Sequence, residues 1–234
     1  MNENDFLINV KEFLNLNLSE KQLQMFKKYF NILIIENKKY NLTTIVEEKD
    51  VYLKHFFDSL IPIKDFEFNN KKIADIGSGA GFPGIPLAIV FENSEFYLIE
   101  SNSKKCLFLE MVIKQLELKN VKVINSRVEE LNHKEFFDVV TSRAVSKINI
   151  LIEISSQLIT IGGNLVCLKS KSYLQEIGEL NNKENEVGFV LENSHKYEID
   201  NLGTRVTVIY KKNSKTPKIY PRKYGHIKNK PLGS

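Results

Sequence analysis

The sequence predicts an α/β fold: a mostly parallel sheet covered by helices on both faces, preceded by an N-terminal helical cap. Three observations carry the prediction. From Lys71 onward, short apolar runs alternate with stretches of helical spacing, the pattern of parallel strands joined by crossover helices. The first of these runs enters a loop holding four glycines and leaves it into a helix. Before Lys71 only helical periodicity is present.

The elements follow in order. Phe6, Leu7, Val10, Phe13 and Leu14 share one face of a first helix. Ser19 and Gln22 have the spacing of a capping box and open a second helix, on which Leu23, Phe26, Phe30 and Leu33 recur every three or four residues. A turn at 40–44 leads to a third helix over about 47–60, ending near Pro62. KKIADI, EFYLIE, VKVIN, FFDVVT and GGNLVCLK are five strands, separated by helices near 84–91, 103–118 and 148–158. Two last runs, GFVLENSHKYEI and TRVTVIYK, have no helix between them and suit a closing antiparallel hairpin, which brings the sheet to seven strands. The expected organisation is a helical cap at 1–64, the α/β domain at 65–211 and a basic tail at 212–234. Pro217, Pro221 and Pro231 predict that the tail is extended rather than helical.

Composition narrows the class. A chain of 234 residues with 42% hydrophobic and 26% charged residues is neither collagen-like, disordered nor disulfide-rich. Cys106 and Cys167 lie within apolar runs, with no CxxC or Cys/His cluster, so both are expected to be buried in a reducing compartment and no metal is expected. No stretch approaches the roughly 18 apolar residues of a membrane span, and the N-terminus lacks the marks of a signal peptide, so a cytoplasmic protein is expected. The net charge of +4 hides an asymmetry. Residues 211–234 hold eight basic and no acidic residues, leaving 25 basic and 29 acidic in the rest. A body of −4 and a tail of +8 point to a polyanion contact at the tail, or more blandly to a solubilising end.

The most informative stretch runs from Ile73 through Asp75, Gly77, Gly79, Gly81, Phe82 and Gly84 to Pro86. Glycines let the chain turn tightly and bring backbone amides close to a ligand. Glu100 ends the second strand 23 residues after Gly77, where a carboxylate can accept from both ribose hydroxyls of a nucleoside. Its bland alternative is a cap for the helix that follows. Asp75 directly before a G-x-G-x-G loop suits a cationic ligand and opposes a pyrophosphate, which favours a sulfonium cofactor over NAD. Asp75-Ile-Gly77-Ser-Gly79-Ala-Gly81 resembles motif I of class I (Rossmann-like) S-adenosylmethionine-dependent methyltransferases.

The resemblance extends further. Residues 75–86 (DIGSGAGFPGIP), with Asn41-Leu-Thr, Lys54-His-Phe-Phe-Asp-Ser59, Ser126-Arg-Val-Glu-Glu130, Ser142-Arg-Ala144, Leu168-Lys169 and Pro221-Arg-Lys, are similar to the small-subunit ribosomal RNA guanine-N7 methyltransferase family RsmG, also called glucose-inhibited division protein B. It covers the chain from about residue 5 to the end. Lys169 is followed by Ser170 where the family has a Gly or Ala, a departure from its pattern. The resemblance implies methyl transfer from S-adenosylmethionine to N7 of one guanine in 16S ribosomal RNA, with Gly77, Phe82, Val128, Glu129 and Arg143 at the cofactor. Gly79 and Glu100 join them from the loop reading. A monomer acting on the ribosomal RNA or small subunit is expected.

The chemistry fits what is absent. Guanine N7 carries a lone pair and no proton, so its methylation needs no general base and no catalytic acid–base residue is assigned. Positioning alone can supply about 7–11 kcal/mol of a barrier. The Asn/Asp-Pro-Pro-Tyr motif of exocyclic amine methylation is missing after the fourth strand, where Thr141-Ser142-Arg143 stands. Arg143 at a strand's carboxyl end suits a methionine carboxylate, an RNA phosphate, or an ordinary ion pair. Phe82 packs either on the cofactor or in the core. Lys54, His55, Asp58 and Ser59 share neighbouring turns of the third helix and either meet the substrate or cap the cleft. Lys169, with Arg127, Lys147 and Lys171, follows strand ends and suits phosphates. Arg222 and Lys223, interleaved with Tyr220, Tyr224 and His226, suit backbone neutralisation and base stacking. On this view, removing 212–234 spares cofactor binding. A small-molecule methyltransferase and a non-catalytic RNA-binding assembly factor are the alternatives.

Overall fold

The computed structural model describes all 234 residues. Helix α1 (Glu3–Leu14) starts at a capping box between Asn2 and Asp5, and α2 (Glu20–Tyr40) at the predicted box between Ser19 and Gln22. Asn37 Oδ1 accepts from the amides of Leu42 and Thr43 at 2.7 and 2.9 Å and folds the chain into the turn after α2. The predicted third helix is one helical stretch of four segments: α3 (Glu48–Val51), a π-helical segment (Tyr52–Phe57), α4 (Asp58–Leu60) and a 3-10 turn (Ile61–Lys64). The wide turn is tied to a contact from the sheet. The Asp58 amide donates to the Leu53 and His55 carbonyls, which leaves the Lys54 carbonyl to accept from Arg143 Nη1 at 3.0 Å.

The sheet contains β1 (Lys72–Ile76), β2 (Glu95–Glu100), β3 (Val121–Asn125), β4 (Phe137–Arg143), β5 (Ile159–Lys169), β6 (Phe189–Ile199) and β7 (Gly203–Lys212). Its order is β3-β2-β1-β4-β5-β7-β6. The first five are parallel, and β7 runs antiparallel between β5 and β6. Helices α5 (Gly84–Val90), α6 (Ser103–Leu116) and α7 (Ile148–Ser155) are the crossovers, with the short α8 (Tyr173–Gly178) after β5. The chain moves outward from β1 to β3, then restarts on the other side at β4. The carboxyl ends of β1 and β4 therefore flank the crevice where open α/β sheets bind ligands.

The cap and the tail share the cores of the sheet. Phe6, Phe26, Tyr29 and Phe56 from the cap are in one apolar cluster with Ile85, Phe96 and Leu109 from α5, β2 and α6. The second cluster joins α7, β4 and β5 to Ile227 and Leu232 of the tail. The tail thus differs from the extended arm that its prolines predict. It forms α9 (Tyr224–Asn229), with Pro217 and Pro221 before the helix and Pro231 after it, so no proline breaks the turn. Ile227 is fully buried against the second core. The expectation failed because what holds the segment down is non-local: Ile227 and Leu232 pack in the second core and Arg222 pairs with Glu153, contacts that a Lys-rich composition does not reveal. No helix is long and apolar enough to cross a membrane.

Candidate active site

The glycine loop is built by backbone demands. Gly77, Gly79 and Gly81 have φ of +66°, +58° and +98°, the left-handed region that glycine enters freely. A Cβ on Gly77 would stand 2.6 Å from Val145 Cγ2, and one on Gly81 would meet the Tyr29 hydroxyl at 2.6 Å. Tyr29, from α2, donates its hydroxyl to the Ala80 carbonyl, so the cap braces the loop from behind.

Asp75 is fully buried beneath the loop. Its Oδ2 accepts from the Gly84 amide at 3.0 Å, and Oδ1 has no partner. The carboxylate holds the start of α5 and does not face outward as a ligand's counter-ion. Burial raises its pKa to about 7, against the lowering effect of the Gly84 and Ser78 hydrogen bonds. His55 moves oppositely: burial and then the Arg143 charge bring it down to about 3, so it is neutral. A carboxyl with a raised pKa keeps its proton longer when folded, so its contribution to stability falls as pH rises from about 4 to about 7. A histidine with a lowered pKa costs stability as pH falls below about 6.5, because only the unfolded chain takes the proton. The two slopes oppose each other in the wild type. Asp75→Asn removes one of them and is expected to gain thermal midpoint relative to wild type between about pH 5 and pH 7.5. A gap between the two proteins that stays constant over that range would refute the assignment.

The cleft has two lobes that share Val145 and Ser146. The smaller, of 150 Å³, is lined by Gly77, Glu100, Val128, Glu129, Ile150 and Tyr224, among others. Glu100 is buried there. Its Oε2 accepts from the Gly79 amide at 3.0 Å and its Oε1 from the Asn102 amide at 2.8 Å. Each oxygen retains a lone pair for a further donor. The larger lobe, of 610 Å³, opens beyond the ends of β4 and β5. It presents Arg143, Lys147, Lys169 and Arg205 with Asp58 and Glu176. Lys147 is matched by Glu179 at 2.8 Å and Lys169 by Glu176, so the excess of one cation lies on Arg143 and Arg205, which share the single carboxylate of Asp58, and it draws anions to this space.

Asp58 organises this lobe. Its Oδ2 accepts from Arg143 Nη1 at 3.0 Å and its Oδ1 from Arg205 Nε at 2.5 Å. One carboxylate from the cap therefore ties a guanidinium on β4 to one on β7. Arg143 Nη2 lies 3.3 Å from His55 Nδ1, while His55 Nε2 is 2.8 Å from Thr43 Oγ1. Thr43 Oγ1 already accepts from the Ile45 amide. With His55 neutral, Nδ1 accepts from Arg143 and Nε2–H donates to Thr43. His55 stacks on Phe82 at 4.4 Å and 15°, and Arg143 lies over that ring at 5.1 Å. The backbone turns sharply just after, with Ala144 at φ +57°.

The structure distributes the sequence-based candidates. Gly77, Glu100, Val128 and Glu129 meet in the smaller lobe, and Gly79 is bonded to Glu100. Arg143 and Lys169 line the larger lobe instead. Phe82 is 6% exposed and lies under the arginine, between His55 and the ring of Tyr29. Lys169 is bound to the Ser146 carbonyl at 2.6 Å and to Glu176 at 2.7 Å, so its charge is already matched. Arg222 is far from a free phosphate ligand: its Nε and Nη2 donate to Glu153 at 2.8 and 2.5 Å. Lys223 remains exposed. Lys54 directs its amine to Asp50, and Ser59 is fully buried on the His55 carbonyl. Both thiols are held up by burial, Cys167 to about 12, as suits inert buried cysteines. Sequence reasoning missed Tyr29, Glu153, Glu176 and Arg205. Each sits in an unremarkable apolar pattern, and no local signal distinguishes it.

The seven-stranded architecture is shared with solved structures. The M. jannaschii TYW2 structure in complex with AdoMet superposes with a TM-score of 0.56 at 20% identity, covering 71% of this chain and 77% of that one. A SAM-dependent methyltransferase from Aquifex aeolicus gives 0.53 at 19% identity, over 68% and 92%. The residues present fit the cofactor of that class: a turn of left-handed glycines whose backbone lies open at the smaller lobe, and a buried carboxylate with spare lone pairs beside it. The fold is that of the class I methyltransferases. Ribosomal RNA small subunit methyltransferase G of Mycoplasma capricolum is 45% identical over 214 residues, 91% of this chain and 93% of its own length. The protein of that name from Carboxydothermus hydrogenoformans is 38% identical over 222 residues, 93% of this chain and 94% of its own. The family model described as rRNA small subunit methyltransferase G matches residues 22–202, and the chain belongs to that family.

Proposed function

We propose that the protein transfers a methyl group from S-adenosylmethionine to N7 of a guanine in small-subunit ribosomal RNA, acting as a monomer in the cytoplasm. The observation that carries this is the juxtaposition of the two lobes. A half-apolar, carboxylate-bearing pocket for a nucleoside adjoins a larger pocket that presents two arginines. S-adenosylmethionine supplies an electrophilic methyl group on a sulfonium. The protein's task is to bring the guanine ring to it and exclude other geometries. The Gly77 loop and Glu100 hold the nucleoside end. Arg143 and Arg205, aligned by Asp58, attract an anionic group to the larger lobe, a methionine carboxylate or an RNA phosphate. His55 is neutral and engaged at both nitrogens, so it orients Arg143 and moves no proton. Guanine N7 has no proton to remove, and the site commits no residue to that work.

The test is incubation with S-adenosylmethionine labelled on the methyl group, offered small subunits, naked ribosomal RNA and a metabolite extract in parallel. Label is expected in small-subunit RNA, at a guanine carrying a ring methyl when mapped by mass spectrometry. Label confined to small molecules overturns the proposal. Glu100→Gln is expected to weaken S-adenosylmethionine binding about tenfold, because the variant presents an amide donor where ribose hydroxyls need an acceptor. Calorimetry checks it, and unchanged affinity would remove Glu100 from the site.

A further inference from the structure

The smaller lobe has a wall that lies outside the span matched by the family model. Tyr224, the first residue of α9, lines it with Val128, Ile150 and Ile154. Arg127 reaches over the same ring, its guanidinium carbon 5.8 Å from the centroid. The segment carrying Tyr224 is fastened on both sides. Before it, Gln157 Nε2 donates to the Tyr220 carbonyl at 2.5 Å, and Arg222 binds Glu153 through its backbone amide, Nε and Nη2. After it, Ile227 is fully buried, Leu232 is 4% exposed, and Asn181 Nδ2 donates to the Gly233 carbonyl at 2.7 Å. Glu153 has no exposed surface. It lies three residues from Ile150 and next to Ile154, so one face of α7 both lines the lobe and grips the tail. Tyr224 itself stays 36% exposed. A tightly held segment thus leaves one aromatic ring free at a cavity.

We infer that Tyr224 is a binding residue for the adenosine end of S-adenosylmethionine, an aromatic wall supplied by the C-terminal segment and held there by the Arg222–Glu153 pair. The inference rests on the placement of the cofactor proposed above. The chemistry selects the adenosine end. Half of this lobe's lining is apolar, Glu100 stands in it to receive hydroxyls, and a purine offers a flat face to an aromatic ring. The larger lobe, with its arginines and lysines, suits the carboxylate end instead. The basic tail therefore completes the cofactor site as well as carrying charge.

The chain contains no tryptophan, so Tyr224→Trp places a single reporter at this wall. Its emission is expected to change saturably as S-adenosylmethionine is added. Tyr224→Ala is expected to weaken S-adenosylmethionine at least tenfold by calorimetry, with an unchanged thermal midpoint, and Tyr224→Phe to retain wild-type affinity. Wild-type affinity in Tyr224→Ala overturns the inference, as does a silent reporter under conditions where calorimetry records binding. Glu100→Gln separates the two levels. Loss in Glu100→Gln without loss in Tyr224→Ala rejects the tyrosine alone. Loss in neither rejects the placement of the cofactor too.

Discussion

Asp58→Asn is expected to lower kcat/KM for RNA methylation by about a hundredfold, roughly 2.7 kcal/mol of transition-state stabilisation. The reason is geometric. A buried carboxylate, 8% exposed, receives Arg143 at 3.0 Å and Arg205 at 2.5 Å, and no other acid in the cleft contacts either guanidinium. An amide in its place keeps at most one acceptor and loses the charge. The two cations then repel, and Arg143 retains only the Lys54 carbonyl and His55. Asp58 touches neither the methyl group nor N7 in this account; it is a positioning residue, and its test must separate position from folding. Steady-state kinetics at a temperature where circular dichroism shows the variant folded is the first measurement. If Arg143 holds the methionine carboxylate, the loss appears in S-adenosylmethionine affinity. If it holds an RNA phosphate, the loss appears in KM for RNA, together with a shallower salt dependence. Asp58→Glu, which restores the charge at a longer reach, is expected to recover part of the rate. Activity of Asp58→Asn within threefold of wild type would refute the role.

Arg222→Met is expected to destabilise the fold by about 3–5 kcal/mol, because it strands a fully buried carboxylate. For a chain of this size the thermal midpoint falls roughly 2–4 °C per kcal/mol, so a loss on the order of 10 °C is expected. The pair itself is no great source of stability compared with apolar packing. Arg222→Met with Glu153→Leu is therefore expected to recover most of the loss, since nothing charged remains buried. A single variant that melts within 2 °C of wild type would show that the pair is not the latch. Deletion of 212–234 has a second consequence. Charge arithmetic alone predicts that cofactor binding survives it. The docked tail, with Tyr224 in the cofactor lobe, predicts that binding is lost along with stability.

The legible part of the molecule was the part encoded locally. Capping boxes and apolar spacing place α1 and α2, and the switch to short apolar runs at Lys71 places the sheet. Gly77, Gly79 and Glu100 announce a nucleoside site because the turn needs left-handed backbone and the acid ends the adjacent strand. The π-helical turn was not legible, since its cause is a carbonyl taken by Arg143 from a strand 89 residues away. Arg205 looks like any alternating residue of a hairpin strand, and Glu153 like one polar position on an apolar helix. The eight basic residues of 211–234 suggested a free arm because composition counts charges and does not see that Lys212 is buried and Arg222 is matched to Glu153.

By itself, the sequence determined the α/β class, the order of its elements, the glycine cradle with its acidic neighbour and the family to which the chain belongs. These follow from backbone preference and short-range spacing, which act within a few residues. The tertiary structure decided which charges are free to act. Asp58 became a clamp, Arg222 a latch and Tyr224 a wall only when strands and helices distant in the chain were brought together. The physical reason is that an ion pair or a cavity depends on separation in space and on burial, and neither is set by the identity of a residue's neighbours in sequence.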